Sequence, residues 1–163
     1  MPPEIGDLAP DFELPALIVG VKRRFRLSSQ RDKKNVLLAF YPSNWTTVSA
    51  TQLSTYQAEK GRLDAADLLA VSMSVDSIMN TTAWEREIGP LDFPMCSDFW
   101  PHAEVSKAYG VLRLREPLQG ACERAILLIN KAGRLIFRQT YGLEELPSFA
   151  ETVQAVERNL QSK

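Results

Sequence analysis

Phe40-Tyr41-Pro42-Ser43-Asn44-Trp45-Thr46-Thr47-Val48-Ser49-Ala50-Thr51-Gln52-Leu53 is the stretch whose reading decides the fold. It follows an apolar run, Val36 to Tyr41, that reads as a buried strand. It leads into Leu53 to Leu63, where Leu53, Tyr56 and Leu63 recur at helical spacing and Gly61 lies close to the end. The turn between them sits at the carboxyl end of a strand and the amino end of a helix, where α/β proteins place their chemistry. Unpaired N–H groups of a first helical turn, with the positive end of the helix dipole, favour an anion there, whether thiolate, phosphate or carboxylate.

On either side the pattern is consistent with an α/β domain. Phe12-Glu13-Leu14 and Phe25-Arg26-Leu27 alternate around a segment containing Gly20, which predicts an early hairpin, and Arg31 to Asn35 is a polar turn before the first central strand. Leu68 to Val75 reads as a second buried strand, with Asp76 or Ser77 capping a helix that carries Ile78, Trp84 and Ile88 and stops near Gly89-Pro90. Phe93 to Ser97 is a short third strand. Pro101 suits the first turn of a short helix ending at Gly110, and His102 is read as capping or hydrogen-bonding locally rather than catalysing. Arg124 to Asn130 and Leu135 to Thr140 form a second hairpin. Ser148 and Glu151 fit a capping box for a last helix whose stripe is Phe149, Val153, Val156 and Leu160. The sum is a mixed sheet with helices on both faces.

The bulk properties narrow the function. A chain of 163 residues with no linker or repeat is read as one domain over 1–163, long enough to bury a core without staples. A formal net charge of -1 supplies no basic field for nucleic acid, and no apolar segment is long enough to span a bilayer. Met1-Pro2-Pro3-Glu4 lacks the marks of a secretory signal, so a soluble, cytoplasmic protein is expected. No His/Cys/carboxylate cluster has metal-ligand spacing, and no cofactor is expected. A serine hydrolase would need a base for Ser49 and a G-x-S-x-G elbow, and neither is present.

Phe40-Tyr41-Pro42 followed by Thr46 and Ser49 resembles the peroxiredoxin signature P-x-x-x-T-x-x-C, whose final cysteine attacks peroxide; here that position is Ser49. The resemblance covers nearly the whole chain. Gly6 to Leu14 is similar to the family's amino-terminal hairpin, Ser97-Asp98-Phe99 with Tyr109-Gly110-Val111 to its later loop and helix, and Arg124 to Asn130 to the strand carrying its active-site arginine. The resemblance implies a thioredoxin-like fold and an ancestral reduction of hydroperoxides at the expense of a thiol reductant such as thioredoxin or another dithiol. It implies that Thr46 hydrogen-bonds peroxide and the attacking group, that Arg124 stabilises charge shared between attacking and leaving atoms, and that Pro42 shields the site. The position of Gln52 is often Glu and sometimes Gln in the family. The resemblance also implies a homodimer with an interface near the active turn, for which Trp45 and Trp100 are candidates, while Trp84 reads as core.

Ser49 changes the expected outcome, because a serine hydroxyl is hardly ionised at neutral pH without a strong base and oxygen has no reversible sulfenate state. An inactive or nearly inactive chain is expected, by natural loss or by an engineered cysteine-to-serine change. Ser74-Val75-Asp76-Ser77 is followed by Ile78-Met79-Asn80 without the resolving cysteine some relatives carry there, and Thr47 replaces a common proline. Loss of both thiols fits natural divergence better than one designed substitution. The alternatives are a binding or regulatory module using the anion-friendly pocket of Thr46, Ser49 and Arg124, or a redox role moved to Cys122. Cys122 lies two residues before Arg124, and would face the same way if the strand already began there. Otherwise it is a small filler, and Cys96 is a buried hydrophobe.

Overall fold

The computed structural model describes residues 1–161. Its centre is one seven-stranded sheet in the order β2-β1-β5-β4-β3-β6-β7. The strands are β1 (Glu13–Ile18), β2 (Val21–Arg26), β3 (Asn35–Phe40), β4 (Leu68–Ser74), β5 (Met95–Ser97), β6 (Arg124–Ile129) and β7 (Leu135–Tyr141). The helices are α1 (Thr47–Ala58), α2 (Lys60–Ala65), α3 (Ile78–Ile88), α4 (Glu104–Ala108) and α5 (Phe149–Gln161). β3 runs parallel to β4 and antiparallel to β6, so the sheet is mixed, and β1 with β2 forms the expected amino-terminal hairpin. This is a thioredoxin-like fold.

The two faces of the sheet carry separate cores, because alternate residues of each strand point oppositely. On one face Leu37, Ala39, Ile126 and Leu128 pack against Leu53, Tyr56, Leu63, Trp84 and Val156 of the larger helices. On the other, Leu38, Phe40, Ala125 and Leu127 meet Phe12, Phe25, Val105 and Tyr109. Both faces of β3 and β6 are therefore covered, which is why their sequences are continuous apolar runs rather than alternating ones.

Several expected boundaries move. The helix after the active turn begins at Thr47 rather than Leu53 and breaks at Glu59 into two, leaving Gly61 inside α2. The third strand starts at Met95 instead of Phe93; Pro94 has no N–H to give the ladder, although its carbonyl accepts from the Ser72 N–H. Pro101 does not open α4. His102 and Ala103 both take left-handed backbone angles, so the helix begins at Glu104 and His102 packs its ring edgewise on Trp100 at 4.7 Å instead of capping. Gly110 has φ of 73° just past α4, the left-handed position expected there. Ser77 caps α3 by accepting from the Asn80 N–H, and Ser148 accepts from the Glu151 N–H at the start of α5. No helix among the described residues is long and apolar enough to cross a membrane.

Candidate functional site

Sheet register brings the predicted residues together. Phe40 at the end of β3 pairs with Ala125, which places Arg124, the first residue of β6, beside the turn that follows β3. Arg124 also pairs with Tyr141 at the end of β7, where the chain turns through Gly142 and Leu143. The guanidinium is thus enclosed by the amino end of α1 on one side and the β7 exit on the other.

Thr46 is the N-cap of α1, in an extended conformation, and its hydroxyl oxygen accepts from the Ser49 N–H at 3.1 Å. That leaves the Thr46 hydroxyl proton free to donate outward, while the N–H groups of Thr47 and Val48 lie in the first turn without an intrahelical acceptor. Ser49 is fully buried, and its Oγ receives Arg124 Nη1 at 3.2 Å. The same Nη1 donates to Gln52 Oε1 at 2.8 Å, and Gln52 Nε2 donates to the Tyr56 hydroxyl at 2.9 Å. Arg124 Nε and Nη2 both donate to the Leu143 carbonyl, at 3.0 and 2.7 Å.

Arg124 is 1% exposed, and burial pushes its guanidinium below the ordinary arginine value. It remains a cation at neutral pH. Among the described residues it makes no ion pair with a carboxylate. Its four hydrogen bonds go to neutral oxygens. A depression of about 900 Å³ opens over it, with Pro42, Thr46 and Val48 on one wall and Tyr141 and Leu143 on another. The segment from Arg113 to Leu118 closes the third side; it is fixed by an Arg113–Glu123 ion pair at 2.8 Å and by Arg113 Nε donating to the Pro117 carbonyl at 2.8 Å.

Cys122 does not face this space. β6 begins at Arg124, two residues later, and Cys122 bridges to Leu112 instead. Its side chain belongs to the opposite core with Phe40, Val71 and Met73, and its thiol donates to the Tyr41 carbonyl at 2.8 Å. Burial, then the charges of Asp98 and Asp76, push that thiol far up. Cys96 is likewise buried on β5 with a raised thiol, burial being the main cause. Neither ionises readily. Among the described residues no group of three or more His, Cys, Asp or Glu could hold a metal ion.

Sequence reasoning missed the Leu143 carbonyl, because a backbone acceptor carries no residue signature, and Asn44, which is buried in the turn before Thr46 and hydrogen-bonded to Tyr41, Asn80 and Thr81. Asn44 lies inside the stretch quoted first, and an uncharged amide next to a tryptophan in a turn gave no cue of its own.

The site and fold can be set beside known proteins. Residues 5–138 match the AhpC/TSA family. Alkyl hydroperoxide reductase E of Mycobacterium tuberculosis is 30% identical over 135 residues, 83% of this chain and 84% of that protein. The chloroplastic 2-Cys peroxiredoxin BAS1 of Spinacia oleracea is 31% identical over 137 residues, 80% of this chain; the match spans only 50% of that longer relative. Among solved structures, the reduced 2-Cys peroxiredoxin of Plasmodium vivax superposes with a TM-score of 0.89 at 24% identity, covering 99% of this chain and 83% of that one, a likeness of fold.

Proposed function

Because the chain belongs to the AhpC/TSA family, with Ser49 where the peroxidatic cysteine stands, we propose that it keeps the family's peroxide pocket without thiol-peroxidase turnover. It binds a hydroperoxide or small oxyanion rather than consuming it. One observation carries this reading: the buried Arg124 guanidinium lies 3.2 Å from Ser49 Oγ and is held by neutral acceptors alone. In this reading the Thr46 hydroxyl donates to the ligand, Arg124 supplies the positive charge, Pro42 walls off water and Gln52 fixes the guanidinium.

Turnover in the family requires a thiolate to attack one peroxide oxygen, breaking the O–O bond and releasing hydroxide or alkoxide, with the sulfenic acid then reduced by a second thiol. Ser49 Oγ has a cationic donor, not a base, as its hydrogen-bond partner, so nothing removes its proton. The buried position of Cys122 in the opposite core argues against transfer of the redox role there.

The proposal extends to a homodimer. Trp45 is 54% and Trp100 66% exposed, and Met79 and Phe99 are exposed as well, all on loops or helix starts that follow β3, β4 and β5. An exposed apolar group of this kind suits a subunit contact. Two buried free cysteines are compatible with the reducing interior of a cytoplasm.

Peroxide consumption with excess dithiol, run on this chain and on Ser49→Cys, tests the reading. The unaltered chain is expected to be inert and the variant to turn over. Consumption by the unaltered chain would refute the loss of turnover, and inertness of both would refute the intact pocket.

A further inference from the structure

The turn that leads into α1 is held by a helix far away in sequence. Asn44 is 2% exposed, and each polar group of its side chain is engaged. Its Oδ1 accepts from the Tyr41 hydroxyl at 2.7 Å, and its Nδ2 donates to Asn80 Oδ1 and Thr81 Oγ1, both at 3.0 Å. Its backbone N–H donates to Asp76 Oδ2 at 2.8 Å. The next residue, Trp45, has φ of 68°, a left-handed conformation that a bulky side chain rarely takes. Its indole Nε1 donates to the same Asn80 Oδ1 at 2.8 Å. Asn80 is itself fixed, since its N–H donates to the Ser77 cap of α3 at 3.2 Å.

One oxygen atom on α3 therefore accepts from two consecutive residues of the turn, and the residue after them is Thr46. A left-handed tryptophan persists where its surroundings over-determine it. Here the surroundings are the Asn44 network on one side and the Asn80–indole bond on the other. The direction in which the chain leaves Trp45 sets where Thr46 begins the cap, and so where its hydroxyl points. Neither Asn44 nor Asn80 hydrogen-bonds Arg124, Ser49 or Gln52, so their influence on the pocket runs through Trp45 and Thr46.

We propose that Asn80, acting with Asn44, is a positioning residue for the pocket: its side-chain oxygen locks Trp45 in the left-handed conformation and thereby aims the Thr46 hydroxyl at the space before Arg124. The consequence for binding rests on the pocket reading above, but the lock is measurable without any ligand.

Asn80 acts as an acceptor in both bonds. Asn80→Asp keeps both and Asn80→Ala removes both. Asn44→Ala would leave the buried Tyr41 hydroxyl without its partner and endanger folding, so the exposed Asn80 carries the test. The first readout is hydrogen exchange at the Ser49 amide, which the Thr46 hydroxyl protects, with the Leu127 amide of the core as control. Asn80→Ala is expected to speed Ser49 exchange roughly 10-fold with Leu127 unchanged, and Asn80→Asp to leave both as they were. The second is peroxide turnover in the Ser49→Cys background, where Asn80→Ala is expected to lower kcat/KM about 10-fold and Asn80→Asp to restore it.

Unchanged Ser49 exchange in Asn80→Ala, or equal acceleration in Asn80→Asp, overturns the lock. Faster exchange without loss of kcat/KM overturns the positioning role. An inert Ser49→Cys parent instead sinks the pocket reading, and exchange alone then shows whether the turn is locked.

Discussion

Ser49→Cys also measures the electrostatics of the site directly. A sulfur in place of Ser49 Oγ, now 3.2 Å from Arg124 Nη1, would carry its charge about 4 Å from the guanidinium. At an effective dielectric near 20 that attraction is worth about 4 kcal/mol, or roughly 3 pKa units. The amino end of α1 adds about 0.5 kcal/mol in the same direction. Burial opposes both, and for an enclosed group with hydrogen-bond donors around it roughly 2 units is a fair allowance. The introduced thiol is thus expected to titrate about 1.5 units below the ordinary 8.5, near 7. The rate of iodoacetamide alkylation against pH reports it, with Cys96 and Cys122 as a silent background because burial holds both of their thiols far above the ordinary range. The sign for stability follows: a depressed thiol pKa contributes stability above the unfolded value of about 8.5, and the gain is lost as pH falls through about 7. Relative to the unaltered chain, the variant should gain about 2 kcal/mol from well below pH 7 to well above 8.5, visible in urea midpoints. A midpoint of alkylation at or above 8.5, or one that does not move when Arg124→Gln is added, would refute the reasoning.

Further outcomes follow from the same contacts. Gln52→Leu removes the nearer of the two acceptors of Arg124 Nη1 and the donor to Tyr56, and should cost about 3 kcal/mol in urea unfolding at little cost in volume. Asp11 is opposed by burial, but bonds from Ser28, Arg26 and the Phe12 N–H outweigh that and hold its carboxyl below the usual range. Its stabilisation is therefore present above the unfolded carboxylate pKa and lost as pH falls through the lower folded value, so Asp11→Asn should flatten the acid limb of an unfolding curve. Trp100→Asp should shift sedimentation toward the monomer while leaving far-ultraviolet circular dichroism unchanged; a species distribution identical to the unaltered chain would discard Trp100 as an interface residue.

What the sequence made legible and what it hid have physical causes. The order of strands and helices could be read because β3 and β6 are covered on both faces and so are unbroken apolar runs, and because Ser77 and Ser148 stand where caps belong. The juxtaposition of Thr46, Ser49 and Arg124 came through the family resemblance, since 75 residues separate Ser49 from Arg124 and no local pattern links them. Boundaries failed where the backbone leaves the common regions. The left-handed angles at His102 and Ala103 delay α4 past Pro101, and propensity assigns such angles to neither residue. The facing of Cys122 depended on whether β6 extended to it. A start at Arg124 and a bridge to Leu112 turn the thiol into the other core. Asn80 was invisible because its role exists only once α3 lies beside the turn after β3.

The charge on Arg124 gives the strongest reason to expect an anion at this site. Taking a guanidinium out of water costs several kcal/mol, and neutral acceptors satisfy its N–H groups without cancelling its charge. A thiolate at position 49 would cancel it; the Ser49 hydroxyl does not. If the site were only packing, an apolar side chain of similar volume at 124 would serve the fold as well or better. The Arg124 charge has no paired carboxylate, although Glu144 and the Arg113-paired Glu123 share the lining; at the floor of an open depression, beside the free N–H groups of α1, it therefore favours a small anion that can reach it. Inorganic phosphate should raise the melting temperature of this chain in a saturable manner, and a concentration of 100 Kd would add about 2.7 kcal/mol. Arg124→Gln should abolish the rise, while Arg115→Gln, which removes an arginine from the far wall, should leave most of it. If Arg124→Gln rose as much as the unaltered chain, the anion would be binding elsewhere, and the case for a pocket organised by this guanidinium would fall with it.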